Sequence, residues 1–187
     1  MAVKKKNDIY IEGEKIEYSE QGKILGLTIG RTGIGNHINK MKATATNKLN
    51  ILRRFKHLPQ NIKVHLIKAF ISPLLHYPAI PLVTISNRQF KKLQVVQNHA
   101  LRFALDTTRL DHVINNVKAL HEKARIEPLN YSIYKRAEST YGKLQALNDP
   151  HMNYVMENYE PEKDHFYFKK INTILLRGAP EKIFTSN

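Results

Sequence analysis

The sequence contains no cysteine and no tryptophan. Without thiols there is no disulfide and no thiolate metal site, a composition that fits a reducing compartment. No apolar run approaches the roughly 18 residues needed to span a bilayer. Met1-Ala2-Val3-Lys4-Lys5-Lys6 has no apolar segment behind it. The expectation is therefore an intracellular protein, nuclear or cytoplasmic, with no signal peptide, no membrane segment and no membrane partner. Paired carboxylates are missing as well. Nucleotidyl transfer needs them close together to hold two metal ions about 3.5–4 Å apart. The aspartates here are Asp8, Asp106, Asp111, Asp149 and Asp164, with no adjacent pair. Gly30-x-x-Gly33-x-Gly35 lacks the lysine of a phosphate-binding Walker loop. The nine histidines show no metal-ligand spacing in the set His57, His65, His76 and His99. His37 and His121 read as capping or surface residues. No metal, no cofactor and no catalytic residue are expected, so the chain is not an enzyme on its own.

Acidic residues are also unevenly spread, and this absence is the most informative. Between Gln21 and Leu105 there is no Asp or Glu. The same stretch holds fourteen basic residues, and the other sixteen balance the 16 acidic residues elsewhere, so the whole net charge of +14 lies in that block. A solvated surface normally mixes both signs, because a single-sign field repels itself. A block of this kind points to a polyanion, most simply the phosphates of a nucleic acid. The competing reading is a helical interaction or structural module that docks an acidic protein.

The pattern predicts a mainly α fold: an N-terminal β-hairpin with three short strands, then a bundle of about five helices. Ile9-Tyr10-Ile11 and Ile16-Glu17-Tyr18 flank a Gly-containing connection, and Lys23 to Ile29 reads as a third strand. Asn36 caps a helix to about His57, with Ile38, Met41, Ala45, Leu49 and Leu52 on one face. Lys40 and Arg54 lie opposite that face; Lys42 and Lys56 flank it. A second helix, Gln60 to Leu75, is apolar over most of its circumference, which predicts a buried central rod stopped by Pro78 and Pro81. Ser86-x-x-Gln89 is a capping box opening a helix to about Leu105, with Lys91, Asn98 and Arg102 outward. A short helix is expected over Asp111–His121 and a longer one over Leu129–Leu147, whose inner face is Ile133, Ala137, Tyr141, Leu144 and Leu147. The expected organisation is residues 1–30 as hairpin region, 31–150 as helical domain and 151–187 as an extension, weakly helical around Tyr167 to Leu176 and otherwise irregular.

From about Ile9 to Pro150 the order of short motifs resembles the region after the palm in non-LTR (LINE, jockey-type) retrotransposon reverse transcriptases. The motifs are Ile9-x-Ile11-x-Gly13-x-x-Ile16, Lys23-x-Leu25-Gly26, His37-Ile38, Lys48-Leu49, Leu52-Arg53 and Leu58-Pro59. They continue with Lys68-Ala69-Phe70-Ile71-x-Pro73-x-Leu75-x-Tyr77, Leu93-Gln94-x-Val96-Gln97-Asn98-x-Ala100-Leu101-Arg102, Leu120-His121 and Ile126-x-Pro128-Leu129. The resemblance implies a primer-grip-like hairpin at residues 1–30 and a thumb-like helical domain. Such a thumb belongs to an RNA-directed DNA polymerase and closes on the template–primer duplex through its backbone. It reads shape, phosphates and 2′-hydroxyls. The implied partner is an RNA–DNA hybrid or an RNA or DNA duplex, with a fingers–palm portion outside this chain. Three departures stand out: Ile24 replaces the aromatic that usually precedes Leu-Gly, Pro81 lies where a Trp is common, and the Tyr-x-Asp-Asp palm strand is absent. This places extension chemistry outside this polypeptide, as expected of a fragment, a decayed copy or a separately expressed piece.

The residues expected to meet nucleic acid are Lys23, Gly26, Lys40, Arg53, Arg54, Lys91, Lys92 and Arg102. Gly26 has two uses, close approach of the backbone to a strand or close packing of the hairpin, and the sequence leaves both open. Gln97 and Asn98 read as buttresses of a neighbouring helix end; Lys91, Lys92 and Arg102 read as phosphate contacts.

Overall fold

The computed structural model describes residues 9–16, 19–30, 33–108 and 116–147, with Pro150, Pro180 and Lys182. The expected extension, and most of the short helix expected over 111–121, lie outside the described residues. The chain divides into two compact units, Met1–His37 and Ile38–Asn187, where the sequence pattern put the boundary after residue 30.

The first unit carries two antiparallel hairpins: β1 (Ile9–Ile11) with β2 (Glu14–Ile16), and β3 (Gln21–Ile24) with β4 (Leu27–Gly30). Tyr10 pairs with Lys15 in the first, and Lys23 with Thr28 in the second. Each closes on two residues with positive φ, Glu12-Gly13 (52° and 86°) and Leu25-Gly26 (47° and 84°). These are the mirror-image turns whose twist matches that of the flanking strands. The single strand expected over Lys23–Ile29 is therefore a hairpin. Its turn escapes sequence reading because Leu25 occupies a left-handed position that leucine rarely takes. Gly26 supplies the second left-handed residue, a role distinct from both uses the sequence left open.

In the second unit, α1 (Gly35–Leu52, beginning within the first unit) buries all five residues of its expected face and ends in a 3-10 turn, Arg53–Phe55. The next rod is α2 (Gln60–Leu66), a π turn (Ile67–Ile71) and α3 (Ser72–His76). Pro73 has no N–H for an ordinary helical bond and its ring crowds the preceding turn. The chain widens just before it, and the Ser72 N–H bonds to the Ile67 carbonyl five residues back. The rod is not buried all round as expected. Lys63, Ile67, Ile71 and Leu75, four apart, form the buried stripe, while Ile62 and Phe70 are more than 40% exposed. Pro81 also does not stop the chain. It lies in the first turn of α4 (Ala79–Leu82), where a missing N–H costs nothing.

Helix α5 (Asn87–Ala104) starts at the expected capping box: Ser86 Oγ accepts from the Gln89 N–H, and Gln89 Oε1 accepts from the Ser86 N–H. It touches α2, the π turn, α3, α6 (Val117–Ala124) and α7 (Leu129–Ala146), which makes it the centre of the unit. Leu93, Val96, Ala100, Leu101 and Ala104 are buried. Leu101 and Leu105 pack with Leu120 and Ala124 of α6. On α7, Ile133 and Ala137 are buried as expected, but Leu147 lies past the helix end and is 72% exposed.

Asn98 does not point outward. It is buried, with Gln94, Gln97 and His121, in one hydrogen-bonded cluster. The Gln94 side-chain amide donates to Gln97 Oε1 and Asn98 Oδ1, each at 2.8 Å, and lies 3.2 Å from His121 Nε2. Gln94 Oε1 accepts from the Leu129 N–H, an end group of α7, and Gln97 Nε2 donates to the Glu127 carbonyl. Gln97 and Asn98 are thus the buttresses the sequence reading expected, joined by Gln94. His121 is neither cap nor surface residue: it is buried, and its Nδ1–H donates to the Ile126 carbonyl at 2.8 Å. His76 is buried too, donating to the Ser72 carbonyl from Nδ1 and accepting the Ser132 hydroxyl at Nε2. Even His37 is buried, with Nδ1 accepting from the Thr28 N–H.

Burial holds the pKa of His76 and of His121 below the ordinary 6.5, because the imidazolium loses its hydration. The unfolded chain takes up protons near pH 6.5 that the folded chain refuses. Stability is therefore complete above that value and is lost as pH falls through it toward the folded pKa values. The thermal midpoint should drop as pH is lowered from 7.5 to 5.0; a flat midpoint would contradict two neutral buried rings.

Candidate nucleic-acid interface

The acid-free block folds almost entirely into the β3–β4 hairpin, α1, the α2–α3 rod, α4 and α5. Its basic side chains do not share one fate. Lys63, in α2, is fully buried. Its ammonium pairs with the Asp106 carboxylate, donates to the Lys56 carbonyl at 3.3 Å and stands 5.6 Å from the centre of the Phe103 ring. Asp106 is the first acidic residue after the block, and it sits at the end of α5 with φ 55°. One lysine of the block is therefore spent inside the protein, fastening α2 to the C-terminus of α5. Gln60 strengthens the same junction by donating to the Leu105 carbonyl at 3.0 Å.

None of the six expected contact residues in the second unit is fully buried. Lys40, Arg53, Arg54 and Lys91 are exposed, and Lys92 and Arg102 are half-buried. Two of them are brought together with neighbours that the sequence does not connect. Arg53, in the 3-10 turn, and Arg102, on α5, line one open pocket of about 340 Å³ with His99, Phe103 and Thr107. Arg53 is steadied by a 3.1 Å hydrogen bond from Nη1 to Asn50 Oδ1. The Thr107 N–H bonds to the Arg102 carbonyl at 3.0 Å, and its buried Oγ1 has no hydrogen-bond partner among the described residues. No acidic residue lines this pocket.

Near the other end of the same helix, Lys92 Nζ donates to Asn39 Oδ1 at 3.3 Å, beside Lys40. Asn39 of α1 thus touches Lys92, and the turn after α1 brings Arg53 to the pocket of Arg102, so cations stand at two places along α5. Ten residues of α5 cover about 15 Å, a length along which a nucleic-acid strand presents several phosphates. Lys91 is exposed on α5 but lines none of these contacts. Lys23 and Gly26 belong to the first unit: Lys23 is an exposed strand residue and Gly26 a turn residue. His99 and Thr107 were missed by sequence reading. His99 falls one turn before Arg102 and two turns after Lys92 along α5, but nothing in the sequence brings Thr107 back beside Arg102.

Among the described residues no group of three or more His, Cys, Asp or Glu is placed to hold a metal ion, and no helix is long and apolar enough to cross a membrane. Guanidinium forks, an imidazole and a hydroxyl around an open hollow suit a phosphate oxygen. Comparison of the chain with protein-family models, curated proteins and solved structures gives no match.

Asp106→Ala strands the Lys63 ammonium with only a carbonyl and a ring. It should cost about 2–3 kcal/mol in denaturant unfolding, whereas Lys63→Met with Asp106→Ala should recover much of that loss. Equal losses in the two variants would contradict the pairing.

Proposed function

We propose that the chain binds the sugar–phosphate backbone of a nucleic-acid duplex, an RNA–DNA hybrid in the first instance, as a thumb-like element of a non-LTR retrotransposon reverse transcriptase. It holds template and primer without carrying the extension chemistry, and it works beside a fingers–palm portion in the nucleus or cytoplasm. The observation that carries this reading is the convergence of Arg53 and Arg102, 49 positions apart in sequence, on one pocket free of acidic lining residues. The order of motifs across residues 9–150 supplies the polymerase context, and the absence of acids over Gln21–Leu105 supplies the charge.

Backbone binding of this kind releases condensed counterions, so affinity falls steeply with salt. If about six phosphates are engaged, hybrid affinity should fall about 10³-fold between 50 and 200 mM salt, with little preference among base sequences. Arg53→Ala with Arg102→Ala should flatten the slope of log affinity against log salt by about two. A salt-independent affinity, or a slope unchanged in the double variant, would contradict the proposal. Tight capture of an acidic protein with no nucleic-acid binding would favour the interaction-module reading.

A further inference from the structure

A second cleft lies on a different part of the helical unit, between α7 and the turn from α3 into α4. Its volume is about 740 Å³, within the range that holds a nucleotide-sized ligand. One side carries Tyr77, Pro78 and Pro81; the other is a polar stretch of α7 with Arg136, Thr140 and Lys143. These three follow steps of four and three, so they stand one above the other along the helix. No acidic residue lines the cleft. The Tyr77 side chain is 55% exposed at the rim. Arg136 and Lys143 are exposed as well, and neither makes an ion pair with a described residue. Lys135 also lines the cleft but is occupied: it lies over the Tyr131 ring at 4.7 Å and reaches Glu127 at 3.9 Å.

We propose that this cleft seats an unpaired nucleotide of a single strand that adjoins the bound duplex, with the base against Tyr77 and the prolines and the phosphate between Arg136 and Lys143. The inference rests on the duplex-binding reading and extends it to the strand beyond the duplex. An aromatic face beside cations is the arrangement by which single strands are held without sequence preference, since every base offers a π-face and every link a phosphate. An acidic peptide would use the cations and leave the aromatic and proline wall idle. The pocket at Arg53 and Arg102 is smaller, and its phenyl ring, Phe103, already lies near the Lys63 ammonium and has no proline beside it.

The test compares a blunt RNA–DNA hybrid with the same hybrid carrying a five-nucleotide single-stranded flank at either end, by fluorescence anisotropy with the full chain. The flanked hybrid should bind about tenfold more tightly. Arg136→Ala with Lys143→Ala should erase that advantage and leave blunt-hybrid affinity within about twofold. Both residues are exposed, so the variant keeps the fold, which circular dichroism would verify. A 5-iodouracil placed in the flank should photocrosslink to Tyr77, located by mass spectrometry. Equal affinity for flanked and blunt hybrids, with the salt dependence intact, overturns this inference and leaves the duplex proposal standing. Loss of all nucleic-acid binding overturns both. Displacement of the flank by polyglutamate as effectively as by a single-stranded oligonucleotide overturns it in favour of an acidic peptide.

Discussion

The structure of the helical unit depends on a buried amide cluster at the centre of α5. Three polar side chains, Gln94, Gln97 and Asn98, are taken out of water within two turns of one helix, and each buried polar group costs free energy unless it is paired. They are paired with one another, with His121, and with the backbone at the α6–α7 connection. An apolar core fixes which faces meet. These directional bonds also fix how far along one another the helices sit, because a shift of one residue would leave several donors unmatched. A neutral His121 is part of that constraint, since its Nδ1–H donates to the Ile126 carbonyl while Nε2 must stay unprotonated to accept from the Gln94 amide.

The same helix carries the surface that faces outward. Its buried side is held by the amide cluster and by the Leu101–Leu120 contact, and its C-terminus by the Lys63–Asp106 pair. Its outer side then presents Lys91, Lys92, His99 and Arg102 from a rigid support. Rigid presentation suits the proposed phosphate contacts, because they lose less conformational entropy when side chains and their scaffold are already ordered. Fastening one lysine inside removes one charge from the block's self-repulsion. The charge is distributed along α1 and α5, and one cation is neutralised at the junction beneath.

Much of this was legible in the sequence, for identifiable reasons. The capping box at Ser86 and the spacing of Ile38 to Leu52 are local signals, and local signals place α1, α5 and α7 well. Errors came where one residue type has two physical solutions. A polar residue on a helix reads as outward, so Asn98 and His121 were misplaced, because only the partner helices reveal that their bonds are satisfied inside. Lys63 was hidden for the same reason: its acidic partner lies 43 positions away. Leu25 reads as a strand residue, yet takes the first position of a tight turn. For the site, Arg53 and Arg102 were each identifiable as basic surface residues, but their meeting in one pocket with His99 and Thr107 is a property of the tertiary fold.

If the outer faces of α1 and α5, with the turn at Arg53, meet a nucleic-acid backbone as proposed, adding an RNA–DNA hybrid to the ¹⁵N-labelled chain will move its backbone amide resonances selectively. Shifts should concentrate at Lys40, Arg53, Arg54, Lys92, Arg102 and Thr107, with the amides of Gln94, Gln97 and Asn98 nearly unmoved. A spectrum that does not change, or shifts that avoid the Arg53–Arg102 pocket, would contradict the proposal.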